Sequence, residues 1–228
     1  PDLGLTLVPV AAGSFVMGHE SGDTNERPVT RVTLTRPFWM GRTEVTQREW
    51  KALLGETDRS YFKDATLPVQ NVAWDEAMEF GRKLTEIERR ADRLPAGYVY
   101  TLPTEAEWEY ACRAGTTGEF AGPIHELAWH EGNSGNTPHA VATLSANSWG
   151  LHDMHGNVWE WCADWYAEKL KGGTVSDPKG PASGSYRVRR GGSWVISAPL
   201  LRSSIRGRAE ADYRNYNLGF RIALVPAR

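Results

Sequence analysis

The sequence predicts an α+β domain that is rich in loops and poor in regular elements. Three observations carry that expectation. Alternating apolar and polar residues open the chain, capped stretches with helical spacing occupy its middle, and helical patterning stops at Gly115 with about half the chain still to come. Composition agrees, since Gly 23 and Pro 13 among 228 residues call for many turns. No stretch reads as a linker, so residues 1–228 are expected to form one domain, with a folded surface of about 10,000 Å².

The elements follow in order. Residues 15–18 and 29–34 alternate as half-buried strands do, with a polar loop between them. Thr46 followed by Glu49 is a capping box, and Trp50, Leu53 and Leu54 behind it predict an amphipathic helix from Thr46 to about Gly55. From Asp75 to Arg90, Met78, Phe80, Leu84 and Ile87 recur at helical spacing behind a capping carboxylate, and the segment ends in basic residues that suit a C-terminus. Thr104 and Glu107 form a second capping box ahead of Trp108, Tyr110 and Ala111, and Gly115 is placed to stop that helix. Beyond it come short β-prone pieces, Gly and Asn turns, and seven of the ten tryptophans counted from Trp108. Each buried indole must find an acceptor for its N–H, so the second half should be pinned by aromatic side chains.

Charge removes several function classes. Lys plus Arg is 26 against 28 for Asp plus Glu, a net charge of -2, so neither a nucleic-acid partner nor a basic membrane-surface role is expected. No apolar run is long enough to span a membrane, and the first ten residues lack the basic and apolar blocks of a targeting segment. Two cysteines, Cys112 and Cys162, give no disulfide framework and no metal-ligand spacing, and are expected to be buried thiols. Arginine concentrates at the far end, at 187, 189, 190, 202, 206, 208, 214, 221 and 228, against only Glu210 and Asp212. Such a set either forms an anion-binding face or ties loops together through carbonyls and carboxylates from elsewhere; the wide spacing among apolar residues and the lack of lysine favour ties.

Five segments are more specific: GSFVMG at Gly13–Gly18, TEVTQ at Thr43–Gln47, LPTEAEWEYAC at Leu102–Cys112, GLHDMHGNVWEWCADW at Gly150–Trp165, and RGGSW at Arg190–Trp194 with NLGFR at Asn217–Arg221. In this order the chain resembles the formylglycine-generating-enzyme family of sulfatase-modifying domains. The resemblance implies a C-type-lectin-like fold with a binding surface near the C-terminus. It also implies calcium, with ligands at Asp153, Glu160 and the backbone carbonyls of Gly156 and Val158. Read from the residues alone, Asp153 and Glu160 flank a Gly-Asn turn whose carbonyls could join them around a hard cation. Equally, Asp153 could cap a turn while Glu160 pairs with a C-terminal arginine. A structural calcium is therefore an expectation with a stated competitor.

Catalysis is where the chain departs from the resemblance. Relatives that oxidise a substrate cysteine carry two cysteines just after Gly-Gly-Ser-aromatic, and here those places fall at about Ile196 and Leu201. Alkyl side chains cannot ligate Cu(I) or form a mixed disulfide, so no copper is expected. The fold also resembles sulfoxide synthases that use iron with a helical partner domain, but the six histidines here form no H-x-x-x-H-x-E run. Ser193 has no His and Asp at recognisable spacing for nucleophilic catalysis.

What is left is a surface. Between Trp194 and Gly219, framework-like Arg202, Ser203, Arg206, Arg208, Arg214 and Asn217 alternate with residues of no evident pattern: Val195, Ile196, Ser197, Pro199, Leu200, Ile205, Gly207, Tyr213, Asn215 and Tyr216. Tyrosine and apolar residues on an arginine-braced frame look like a paratope, to be read against ordinary loop packing. The pattern also resembles the variable proteins of diversity-generating retroelements, whose randomised asparagine codons never yield Lys, Gln, Glu, Met or Trp; none of the ten positions carries one. The expected function is a catalytically silent module that binds a protein or other macromolecular ligand through those ten residues. The alternative is a metal-dependent oxidase of the same family acting with a partner domain.

Overall fold

The computed structural model describes residues 3–227. In chain order the elements are β1 (Leu7–Val10), β2 (Gly13–Met17), β3 (Thr30–Leu34), β4 (Phe38–Gly41), α1 (Gln47–Leu54), α2 (Trp74–Arg90), β5 (Tyr98–Thr101), α3 (Glu105–Arg113), α4 (Ile124–Leu127), β6 (Ala128–Trp129), β7 (His155–Gly156), β8 (Trp159–Trp165), β9 (Gly173–Ser176), β10 (Arg187–Arg190), β11 (Gly207–Ala209), β12 (Leu218–Gly219) and β13 (Ala223–Pro226). Both anticipated capping boxes form. The Thr46 hydroxyl accepts from Glu49 N–H at 3.2 Å and Thr104 from Glu107 N–H at 3.2 Å, while each Glu carboxylate accepts from its threonine's N–H in return. Asp75 is not the cap of α2: that helix starts one residue earlier, behind Ala73, whose N–H is held by the Glu76 carboxylate. Ala114, in the left-handed region at φ 45°, ends α3 one residue before the expected Gly115.

Four sheets result. Their strand orders are β1-β4-β13-β5, β11-β10-β8-β12, β2-β3-β9 and β6-β7. The second sheet positions the site. In it β8 pairs antiparallel with β10 and parallel with β12, and Glu160 lies opposite both Arg190 and Gly219. One core cluster packs Trp108, Met40 and Val188 between sheets; a second gathers Trp50, Phe80, Trp161 and Phe220 under α1 and α2. Several tryptophans find acceptors: Trp161 donates to the Val72 carbonyl at 2.9 Å, Trp108 to Glu160 at 2.7 Å and Trp74 to the Cys162 carbonyl at 2.8 Å. The accessible surface is 9846 Å². No helix among the described residues is long and apolar enough to cross a membrane.

Candidate ligand-binding face

Three arginines that bound or lie within the C-terminal segment turn inward onto glutamates of α3 and β8. Arg206 grips Glu105 with two bonds, at 2.7 and 2.8 Å, and donates to the carbonyls of Asn25 and Ala167. Arg190 is fully buried, pairs with Glu109 and donates to the carbonyls of Ser203, Ser204 and Ile205. Arg221 holds both oxygens of Glu160, at 2.6 and 2.7 Å. The arginine cluster is thus chiefly a set of ties. Burial alone would raise the Glu105 carboxyl, yet Arg206, with Arg190 behind it, outweighs burial and holds it below the usual carboxylate range. Arg208 and Arg214 depart from the pattern, pairing with Glu168 and Glu76 at partly exposed sites.

On this frame the ten anticipated face residues divide. Leu200 (47% exposed), Tyr216 (44%) and Tyr213 (39%) are open, as is Pro199, while Val195, Ile196, Ser197, Gly207 and Asn215 are half-buried. Ile205 corrects the expectation, because it is 7% exposed and packs in the core cluster with Trp159 and Leu218. Gly207 also has a structural duty: a Cβ there would meet Arg189 Cγ at 2.9 Å and the Trp159 ring at 3.0 Å. Ile196 leans on the same cluster.

Tyr216, Tyr213 and Asn215 come together with Trp194. The Trp194 and Tyr216 rings lie 5.7 Å apart, and the Asn215 amide donates to the Tyr213 hydroxyl at 2.6 Å. Arg189 lies over the Trp159 ring at 4.7 Å; burial draws its pKa down and Tyr213 nearby opposes that. Pro199 and Leu200 sit apart, on a 3₁₀ turn over 198–201. Two further members were missed from the sequence. Tyr61, 73% exposed, stands 6.3 Å from Tyr216, and Phe62 stands edge-on to Trp194 at 5.6 Å. The available signal was two adjacent aromatics inside an otherwise polar run, which is a poor pattern for core. Beneath this surface the Trp194 indole N–H, the Asn215 Oδ1 and the Asn217 Oδ1 have no hydrogen-bond partner.

The two anticipated calcium carboxylates, Asp153 and Glu160, are buried together but otherwise engaged. Both Glu160 oxygens serve Arg221 and one also accepts from Trp108. Asp153 Oδ2 accepts from Ala142 N–H at 2.8 Å, leaving only Oδ1 unpartnered. Gly156 and Val158 use their N–H groups on the Gly191 carbonyl and on Glu44. The Glu160–Arg221 pair is the one the salt-bridge reading anticipates, and a cation taking six to eight oxygens would have to share Glu160 with that guanidinium. Burial, reinforced by Asp153 and Glu160, pushes the Glu44 carboxyl well above its usual range. Among the described residues no group of three or more His, Cys, Asp or Glu is placed to hold a metal.

Leu201 and Ile196 occupy the places where the resemblance puts thiolates. Leu201 is fully buried, and its carbonyl accepts from His155 Nδ1–H at 2.7 Å. Both cysteines lie elsewhere and are fully buried; burial pushes the Cys112 thiol up to about 12 and Cys162 well above its usual value.

A family model described as the sulfatase-modifying factor enzyme 1-like domain matches residues 4–225. The chain belongs to the sulfatase-modifying factor family. The solved Treponema denticola variable protein 1 superposes with a TM-score of 0.86 at 32% identity, covering 96% of this chain and 94% of that one. The serine/threonine-protein kinase pkn1 of Chlamydia caviae is 32% identical over 95% of this chain, and the formylglycine-generating enzyme of Mus musculus 28% identical over 96%. This sulfatase-modifying-factor domain spans 37% of that kinase and 59% of that enzyme.

Proposed function

We propose that this sulfatase-modifying-factor domain is a binding module without cysteine-oxidising activity, and that it meets a protein or other macromolecular ligand through Tyr213, Tyr216, Tyr61 and Phe62, set around the buried Trp194, with Val195, Ser197, Pro199, Leu200 and Asn215 as variable neighbours. The observation that carries the reading is the unpaired polar set under the aromatic surface: Trp194 Nε1, Asn215 Oδ1 and Asn217 Oδ1. Such groups cost about 1–3 kcal/mol each when buried without a partner, and a ligand reaches them only where the aromatic surface above them gives way. Aromatic side chains beside them offer wide contact at low rotamer cost. Likeness to a protein described as variable supports a face that tolerates substitution, and alkyl groups at Ile196 and Leu201 support the loss of thiol chemistry.

Ile205 and Gly207 leave the proposed face because packing constrains them. The flanking DNA tests the reading. A near-identical repeat of the segment encoding 195–216 beside a reverse-transcriptase gene is expected, differing at adenines in codons of the open positions and sparing Arg202, Arg206 and Gly207. A repeat that varies equally at those three codons would count against a diversified face. Formylglycine produced at turnover rates from a cysteine peptide, with copper-loaded protein, would overturn the non-catalytic reading.

A further inference from the structure

A cleft of about 460 Å³ opens where the β9 strand, the start of α3 and the loops after β8 and β9 meet, and none of the open face residues lines it. That volume lies in the range of small-molecule sites. Its floor is apolar and belongs to the core: Met17, Val32, Ala106 and Leu170 are all buried.

The charges in the cleft are arranged unequally. At the back, Glu105 is neutralised by Arg206 and Asp164 accepts from the Glu105 N–H at 2.9 Å, so no cation is spare there. At the mouth stand Lys169, Lys171 and Lys179, all exposed, and none forms an ion pair among the described residues. The acidic residue beside them in sequence, Glu168, is taken by Arg208. One wall is pressed into place: Gly180 has φ 68°, and a Cβ on it would meet the Trp165 carbonyl at 2.8 Å. A preformed wall lowers the ordering cost of binding.

We propose that this cleft binds a small amphipathic anion, such as a medium-chain carboxylate, with its apolar end on Leu170 and Val175 and its charged end among the three lysines. The orientation follows from the charges. An anionic head driven inward would meet Asp164 and the already paired Glu105, whereas at the mouth it meets three unpaired ammonium groups.

Calorimetric titration with dodecanoate, dodecanol and dodecyltrimethylammonium is the test. Dodecanoate should bind at least tenfold more tightly than the other two. Exchanging the lysines in K169E/K171E/K179E should weaken dodecanoate at least tenfold and make the ammonium compound the preferred ligand, with the melting temperature nearly unchanged because the lysines are exposed and unpaired. Ala167→Phe, which fills the cleft from a half-buried lining position, should abolish binding of dodecanoate while the protein still melts cooperatively. No dodecanoate binding to the unaltered protein, dodecanol binding as tightly as dodecanoate, or an affinity unmoved by the triple exchange would each overturn the proposal.

Discussion

Arg206→Ala should separate frame from face more sharply than any other single change. The Arg206 side chain is 2% exposed, makes two bonds to Glu105 at 2.7 and 2.8 Å, and donates to Asn25 and Ala167 carbonyls at 2.6 and 3.0 Å. Removing one partner of a buried pair costs about 3–5 kcal/mol, because the other charge stays behind. Arg190, 3.7 Å from the same carboxylate, recovers part of that, so the loss should lie near the low end. In a chain of this size the melting temperature should fall by about 10 °C. The loss should also depend on pH. In the unaltered protein the Glu105 pKa is depressed, a contribution present above the unfolded pKa and lost as pH falls through the folded one. Without Arg206, burial dominates and the folded carboxyl takes up a proton more readily, so the gap between variant and parent should narrow as pH falls from 7 towards 4. Leu200→Ser, at an open position, should stay within about 0.5 kcal/mol at every pH. Urea unfolding of the three proteins at pH 7, 5.5 and 4 reads both effects. A loss under about 1 kcal/mol for Arg206→Ala, or a gap that does not change with pH, would refute the account of the frame.

Three further outcomes are expected. Burial draws the His155 pKa down to about 4, so the protein should lose up to about 3 kcal/mol between pH 6.5 and 4 from this group, as the unfolded imidazole takes up a proton first; His155→Gln should flatten that part of the urea-midpoint profile. Glu160→Gln should lower the melting temperature equally with and without chelator, since its partners are Arg221 and Trp108; a shift that appears only in metal-loaded protein would restore the calcium reading. Neither Cys112 nor Cys162 should react with iodoacetamide at pH 8 until the protein unfolds, and mass spectrometry of the native protein reads this directly.

Local order was legible where it is encoded locally. Thr46 with Glu49 and Thr104 with Glu107 mark two helix starts because capping is a contact between residues three apart. The carboxylates were not legible in the same way. Glu105, Glu107 and Glu109 would each read as a solvated charge on α3, yet all three are buried. Glu107 belongs to the Thr104 capping box and Glu109 has Arg113 one turn on, but the guanidiniums of Arg206 on Glu105 and Arg190 on Glu109 come from far along the chain, which no local pattern reveals. For the same reason Glu160 could be a cation ligand or an ion-pair partner until Arg221 was placed beside it. On the face, Ile205 looks as arbitrary as Leu200 in sequence, and only the packing of Trp159 and Leu218 around it tells them apart.

The pairing of β8 has a consequence for how this protein can change. After β10 the chain returns to the sheet as β11 at one edge and ends in β12 at the other, so residues 210–217 leave and re-enter the sheet at points about 14 Å apart, three strand spacings. The two ends of that stretch are held by β11 and β12. Closing a flexible loop between fixed posts depends only logarithmically on its length, about 0.6 kcal/mol per doubling. Insertions or deletions of several residues near Tyr213–Tyr216, away from the Arg206 anchor, should therefore be accepted about as readily as substitutions. The domain is then a chassis on which whole loops can be exchanged, and its descendants could differ in the reach of this arm as well as in its chemistry.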